Sequence, residues 1–514
     1  MVPISHSRFV ATVLLLSACH SISAQGAAGG QQTKAQQLPI SGRQTQQSGG
    51  AAVQNSTTGG AGSSVNTSTT TILVQGSYSG SISSIDTAVR GVNITLEQAI
   101  QMGLRYNLGA VSASASLRQI RAQRLAALSQ LLPTLNGILS ETGTKEDLAT
   151  TGISSGVLGT GISLPTTVGP FHYYDARLSL NFNFLDRTAV HNYRAAKEVE
   201  KASELSDRGA RELVVLAVGS EYLRVLADAA LVESQEAQVK YAKSSYDQSV
   251  AQNEAGTKSP VDTERSQVEW QTEQQRLTSQ RADLIKQKRS LSRMIGLSLS
   301  ADIVPAERML YTPAPPMPIE EALKRAWAQR ADLNSAAAQL RAAEESLKAA
   351  HSEHLPTVNV NGYAGIEGVN PNAGVGVFSG TASMSIPIFQ GGRIRADRDQ
   401  AQAIIDQRRA EYQDQRGVVE LDVRNAYTDF ETAVEQVRVA ESNRTLALLT
   451  LQQSQDRFVA GVATSVEVVQ SQETLAAADR DYVNSLYSHN LSKISVARAL
   501  GQAETSVPEF LKGH

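Results

Sequence analysis

The chain has 514 residues, in which 47 Lys and Arg face 50 Asp and Glu for a net charge of −3. That balance excludes a nucleic-acid binder, which needs a net basic face to neutralise phosphates. Hydrophobic residues make up 41% and aromatics only 5%, a supply of bulky side chains that suits long Ala-, Gln- and Glu-rich helices better than a compact enzyme core.

Residues 1–24 read as a signal peptide, with Arg8 ahead of a short apolar run over 9–16. Leu16-Ser17-Ala18-Cys19 resembles a bacterial lipobox and makes Cys19 a candidate lipid anchor. A rival cut after Ala24, in Ser21-Ile22-Ser23-Ala24, would remove it. Either route exports the chain. Cys19 is also the only cysteine, so an internal disulfide framework and any cysteine-cluster metal site are excluded. No apolar run reaches the roughly 18 residues of a spanning helix. A membrane-crossing form of this chain therefore has to be a β-barrel.

Residues 25–90 are low in complexity and expected to be largely disordered. Over 25–71 the large aliphatics are only Leu38, Ile40, Val53 and Val65, too few to offset the ordering entropy. The sequons at Asn55 and Asn66 are what a Ser/Thr tract yields by chance. Residues 72–90 recover enough hydrophobicity for a short extended piece.

From residue 91 the chain repeats itself. Residues 94–135 align without a gap on 317–358, with 13 of 42 positions identical. Both copies carry Leu-Pro-Thr, at Leu132-Pro133-Thr134 and Leu355-Pro356-Thr357. After a variable stretch the match resumes at a shift of 205, pairing Ala255-Gly256 with Ala460-Gly461, and Lys288, Ser290, Arg293 and Gly296 with Lys493, Ser495, Arg498 and Gly501. The predicted units are 91–304, a Pro-rich linker over 305–316, 317–502, and a tail over 503–514.

Each copy predicts a helix ending before Leu-Pro-Thr, then a hairpin of two alternating strands. Leu178, Leu180, Phe182 and Phe184 alternate with Ser179, Asn181 and Asn183. In the second copy Val358, Val360, Ala364 and Ile366 oppose Asn359 and Asn361, and Met384, Ile386 and Ile388 alternate with Ser383, Ser385 and Pro387. The hairpin turns are expected over 140–172 and 367–376. Very long helices follow. Val423, Ala426, Phe430, Ala433, Val437 and Ala440 keep a heptad period with small residues, as do Leu213, Leu216, Ser220, Leu223, Ala227 and Ala230, which implies close helix packing. Each helical stretch is interrupted once, at 255–260 and 460–465. About 40 residues on either side give limbs of roughly 60 Å.

Four strands cannot close a barrel, and an open edge in lipid leaves backbone groups unpaired. The smallest membrane barrels need about eight strands, so several chains are required. The Asn and Ser positions should face the lumen, and Leu, Phe and Ile the lipid.

Over residues 94–502 the chain resembles the TolC family of outer-membrane efflux proteins. The resemblance rests on the tandem copies, both Leu-Pro-Thr switches, the turn Ile388-Phe389-Gln390-Gly391-Gly392-Arg393 and the tip sequence Arg457-Phe458-Val459-Ala460-Gly461, continued by Thr464-Ser465-Val466-Glu467-Val468-Val469. It implies a mixed α and β membrane fold: a homotrimeric outer-membrane β-barrel with four strands per chain, continuous with a long periplasmic α-helical barrel. It further implies a periplasmic adaptor (membrane fusion) protein and, through it, an inner-membrane pump of RND, ABC or MFS type.

In that family the hairpin tips form the periplasmic gate and the adaptor-docking site. Matched by motif, Gly256 and Gly461 are the tip turns, and Asp262 and Glu467 the acidic positions beyond them. Three symmetry copies of a carboxylate around a pore favour cations and raise one another's pKa. The plainer role is a favourable charge at a helix N-terminus, worth about 0.3–1 kcal/mol. Gln470 stands where some relatives have a second acid, and Lys258 adds a charge of no assigned role beside the first tip.

Features that imitate catalytic motifs are weak. His351-Ser352-Glu353-His354 offers two imidazoles, too few for a metal site. Residues 374–380 have the wrong glycine spacing for a dinucleotide loop. No catalytic, cofactor or metal residues are expected. The competing function is an exported structural coiled coil or adhesin, which would have no need of amphipathic hairpins at matching places in both copies.

Overall fold

The computed structural model describes residues 51–58, 67–74, 76–82, 92–148, 166–257, 259–313, 317–370 and 372–512. The signal peptide, Cys19 and Lys258 lie outside the described residues. In chain order the elements begin with β1 (Ala51–Thr58), β2 (Thr67–Val74) and β3 (Val92–Ile94). The first copy continues with α1 (Leu96–Tyr106), α2 (Leu108–Ser129), β4 (Thr134–Asp147), β5 (Thr167–Leu185), α3 (Arg187–Glu254) and α4 (Pro260–Ile295). After β6 (Ile303–Pro305) come α5 (Ile319–Gln329), α6 (Ala331–Ser352), β7 (Thr357–Gly368), β8 (Val375–Ser385), α7 (Arg393–Val459) and α8 (Ser465–Ala499), then a terminal α9 (Ala503–Lys512). The chain divides into two compact units, one holding 125–194 and 345–402, the other 38–124, 195–344 and 403–514.

The first unit holds a four-stranded antiparallel sheet in the order β4-β5-β7-β8. Register puts Leu178, Leu180 and Phe182 on one face with Ala364, Gly362 and Val360, and Ser179, Asn181 and Asn183 on the other with Tyr363, Asn361 and Asn359. The first hairpin is longer than its sequence suggests, since pairing runs on to Asp147 and Thr167. In the second copy β8 stops at Ser385, so Ile386 and Ile388 belong to no strand; Pro387, lacking an N–H, cannot extend the ladder.

The second unit is helical. The sequence predicts a single helix before each Leu-Pro-Thr; the structure has two, broken at Asn107 and at Arg330. At the first break buried Asn107 replaces the lost helix bonds. Its Nδ2 donates to the Tyr78 carbonyl at 2.8 Å, and its Oδ1 accepts from the Gly109 N–H at 2.9 Å. α1 opens on a capping box, Thr95 with Gln98. The long limbs are also unequal, against the even split expected: α3 and α7 have 68 and 67 residues, α4 and α8 only 36 and 35.

Four helices end the same way, with Gly256, Gly296, Gly461 and Gly501 at positive φ between 72° and 82°. In each, the following N–H reaches back five residues, as from Thr257 to Gln252 and from Val462 to Arg457. This is the Schellman ending, which favours glycine because it has no Cβ. The main core joins Val214, Leu216, Tyr222 and Leu226 of α3 to Ile100 of α1, Ile295 of α4, and Leu491 and Ile494 of α8. α3 is therefore buried around much of its girth here, while the small-residue heptad of α7 is buried as expected at Val423, Ala426, Ala433, Val437 and Ala440. The low-complexity segment is not structureless throughout. β1 pairs antiparallel with β2, where consecutive threonines supply β-branched residues, and β2 lies against α8.

Candidate functional site: helical tips and sheet faces

The tips sit where α3 turns into α4 and α7 into α8. Ser259 and Thr464 cap the return helices through their hydroxyls. Just above, repeat-equivalent pairs tie the two limbs of each hairpin: Ser249 with Ser266 at 3.0 Å and Ser454 with Ser471 at 2.8 Å, all buried. The carboxylates at equivalent places have different partners. Asp262 Oδ1 accepts from the Ser465 hydroxyl at 3.1 Å, a link between the two hairpins. Glu467 instead meets Arg457 of its own hairpin at 3.1 Å. Val261, Val459, Val462 and Val466 are exposed around these turns, an apolar rim at the end of otherwise polar helices.

The sheet presents a second candidate surface. On its apolar face Leu139 and Phe378 are 84% and 87% exposed, so among the described residues nothing covers that part of the face. The opposite face carries a ladder of amides, with Asn359 Nδ2 donating to Asn181 Oδ1 at 3.2 Å and to Asn183 Oδ1 at 2.6 Å. Ile138 is an exception to the expected sorting, since register places it on the polar face opposite Arg177. Among the described residues β4 and β8 are each paired on one side only.

Two buried polar clusters escaped sequence reasoning. At the second helix break Arg330 bridges Asp332 at 2.6 Å and Asp422 at 2.8 Å. Burial pushes the nearby Glu212 carboxyl up to about 7, with Arg208 working against it. The other cluster fastens the linker. There Lys493 donates to the Thr312 hydroxyl at 2.6 Å and to its carbonyl, while its repeat equivalent Lys288 meets the exposed Asp302, ahead of the linker, at 3.1 Å. Beside Lys493, His489 lies against the Tyr311 and Phe430 rings. Burial lowers Lys493 to about 8 and His489 to about 4. The repeat alignment of Lys288 with Lys493 marks both positions but not this fastening, since only Lys493 reaches the linker.

Among the described residues no group of three or more His, Cys, Asp or Glu side chains could hold a metal. His351 and His354 are exposed, and Glu353 between them pairs with Arg393 at 2.7 Å. Nor is any described helix long and apolar enough to cross a membrane.

A sheet with an exposed apolar face opposite a polar one, together with long helical hairpins ending in matched tips, is what an outer-membrane channel protein requires. The chain belongs to the outer membrane efflux protein family, whose model matches residues 104–297 and 322–502. Its place is the cell outer membrane, and it is a conduit, not an enzyme, which sets aside the fibrous reading. It is 23% identical over 375 residues to the toluene efflux pump outer membrane protein TtgF of Pseudomonas putida, covering 68% of this chain and 74% of that one. To the outer membrane protein TolC of Escherichia coli it is 21% identical over 343 residues, covering 63% and 69%. The fold matches that of the Campylobacter jejuni CmeC outer membrane channel with a TM-score of 0.69 at 18% identity, covering 79% of this chain and 86% of that one.

Proposed function

We propose that three copies of this chain form the exit duct of a tripartite efflux system for small molecules. The observation that carries the reading is the sheet with two open edges and an uncovered apolar face. Pairing β8 of one chain with β4 of the next leaves no unpaired edge in lipid. Three chains then supply twelve strands, well above the minimum of about eight. On this reading the repeats 91–304 and 317–502 are products of a tandem duplication, joined by the linker 305–316 and followed by the tail 503–514. The helical hairpins stand in the periplasm and dock an adaptor protein, through which an inner-membrane pump supplies the energy. The toluene-exporting relative supports a small-molecule cargo over a secreted protein.

The tips act as the gate. Asp262, bonded to Ser465 across the hairpins, and Glu467, held by Arg457, keep the tip helices together. Replacing Asp262 and Glu467 with Ala should raise the conductance of the channel in planar bilayers; an unchanged current would remove them from the gate. The duct itself is tested by the mass of the protein extracted from outer membranes, with detergent subtracted. A trimer is expected, and a soluble monomer or dimer would overturn the reading.

A further inference from the structure

Closure of the barrel by three chains turns the polar sheet face into a lumen wall, and any role for its charges in the duct rests on that closure. Over the paired stretch of β5 and β7 that face carries Ser179, Asn181, Asn183, Asn359 and Asn361 toward one end, and its charges gather at the other: Asp175, Arg177 and Glu367. Lys145, Glu146 and Asp147 lie at or beyond the register shift at the far end of the first hairpin. Asp175 and Glu367 stand directly opposite each other across β5 and β7, a like-charge pair that is unfavourable by itself.

Arg177 answers the first of these charges. Its Nε donates to Asp175 Oδ1 at 2.7 Å, and its Nη2 donates to Oδ2 of the same carboxylate. Its guanidinium carbon lies 4.6 Å from the centre of the Tyr363 ring. Asp175 is thereby only 4% exposed. The residue opposite Arg177 is Gly365, where a Cβ would come within 2.6 Å of the Arg177 backbone and 2.2 Å of the Ala176 carbonyl. Glycine there lets the arginine strand approach and leaves its side chain a path to Tyr363. One cation against two carboxylates leaves one net negative charge per chain, on a partly exposed Glu367.

We propose that this level is a charge-selective belt of the outer duct, with Glu367 favouring cations and Arg177 opposing it. Around a three-fold axis each charge recurs three times, at one height, among uncharged residues: Ile138, Ser140, Val375 and Val377 at that level, and amides and hydroxyls beyond it. The bland alternative is an ion pair that merely fastens β5 to β7. The two roles differ in sign: a fastener loses function whichever partner is removed, whereas a belt shifts selectivity in opposite directions.

The test is the reversal potential of the full-length protein in planar bilayers, with the dilute side near about 0.01 M salt, where the Debye length is about 30 Å. Wild type should prefer cations. Glu367→Gln should move the potential toward zero and Arg177→Gln away from it, each by a factor of about two in permeability ratio. Arg177→Lys, which keeps the charge but not the fork, should hold the wild-type value. If Arg177→Gln fails to assemble, Glu367→Gln and Arg177→Lys still decide. Channels that form normally but show no shift, or shifts of one sign, overturn the belt; a wild-type chain that forms no channel overturns the barrel reading beneath it.

Discussion

Glu212 of α3 is buried beside Arg208, Asp332, Arg330 and Arg498, and burial raises its pKa from 4.5 to about 7. A carboxyl raised in this way binds its proton more tightly folded than unfolded. Its contribution to stability is complete below about 4.5 and is lost as the pH rises through about 7. Glu212→Gln should abolish that dependence. Relative to wild type, the variant should gain stability between pH 4.5 and about 8, by an amount equivalent to about 3 kcal/mol. Thermal unfolding of the detergent-solubilised protein across that range checks it, and a difference that stays constant with pH would refute the assignment. The cluster is also specific to the second copy, because Asn107 and Gly109 stand where Arg330 and Asp332 do. Two repeats thus solve one structural demand, a helix interrupted in the core, with an amide in one case and an ionic bridge in the other.

The helical hairpins are the element where sequence and structure can be compared most closely. At Gly256 and Gly461 a Cβ would meet nothing within 4 Å, so the positive φ alone sets the penalty for alanine. Gly256→Ala and Gly461→Ala should each destabilise the tip by about 1–2 kcal/mol. Faster amide exchange should be confined to the residues around each turn, with the global unfolding midpoint unchanged; a fall in that midpoint would show the tips to be part of the main cooperative unit. These turns were legible because glycine with a capping Ser or Thr is punctuation that needs no tertiary context. The strands were legible too, since alternation follows directly from a sheet with one apolar and one polar face. The breaks at Asn107 and Arg330 were not, as neither residue is a helix breaker by propensity and only the surrounding core makes each a clamp. Limb lengths were misjudged for a similar reason. α4 and α8 stop at Gly296 and just before Gly501, and α1 with α2, like α5 with α6, counts 33 residues against the 32 by which α4 and α8 fall short of α3 and α7. Nothing local to a limb announces that.

For the molecule as a channel the two contrasting faces of its sheet matter most, and substitutions one residue apart should tell them apart. Phe378→Arg places a charge on the uncovered apolar face, at about 2–4 kcal/mol per chain near the bilayer centre. It should prevent recovery of the proposed trimer from outer membranes while the helical unit still forms. Ser379→Arg, on the polar face opposite Tyr363, should be recovered normally; equal loss of both would mean that neither face meets lipid. The open edges of β4 and β8 have a genetic corollary. In the proposed ring every chain both gives an edge and receives one, so a chain with a blocked β8 still enters assemblies through β4. Co-expressed in equal amount, it would leave only about one ring in eight free of it. Edge-blocking alleles of this gene are therefore expected to be dominant, and alleles that stop the chain from folding at all, recessive.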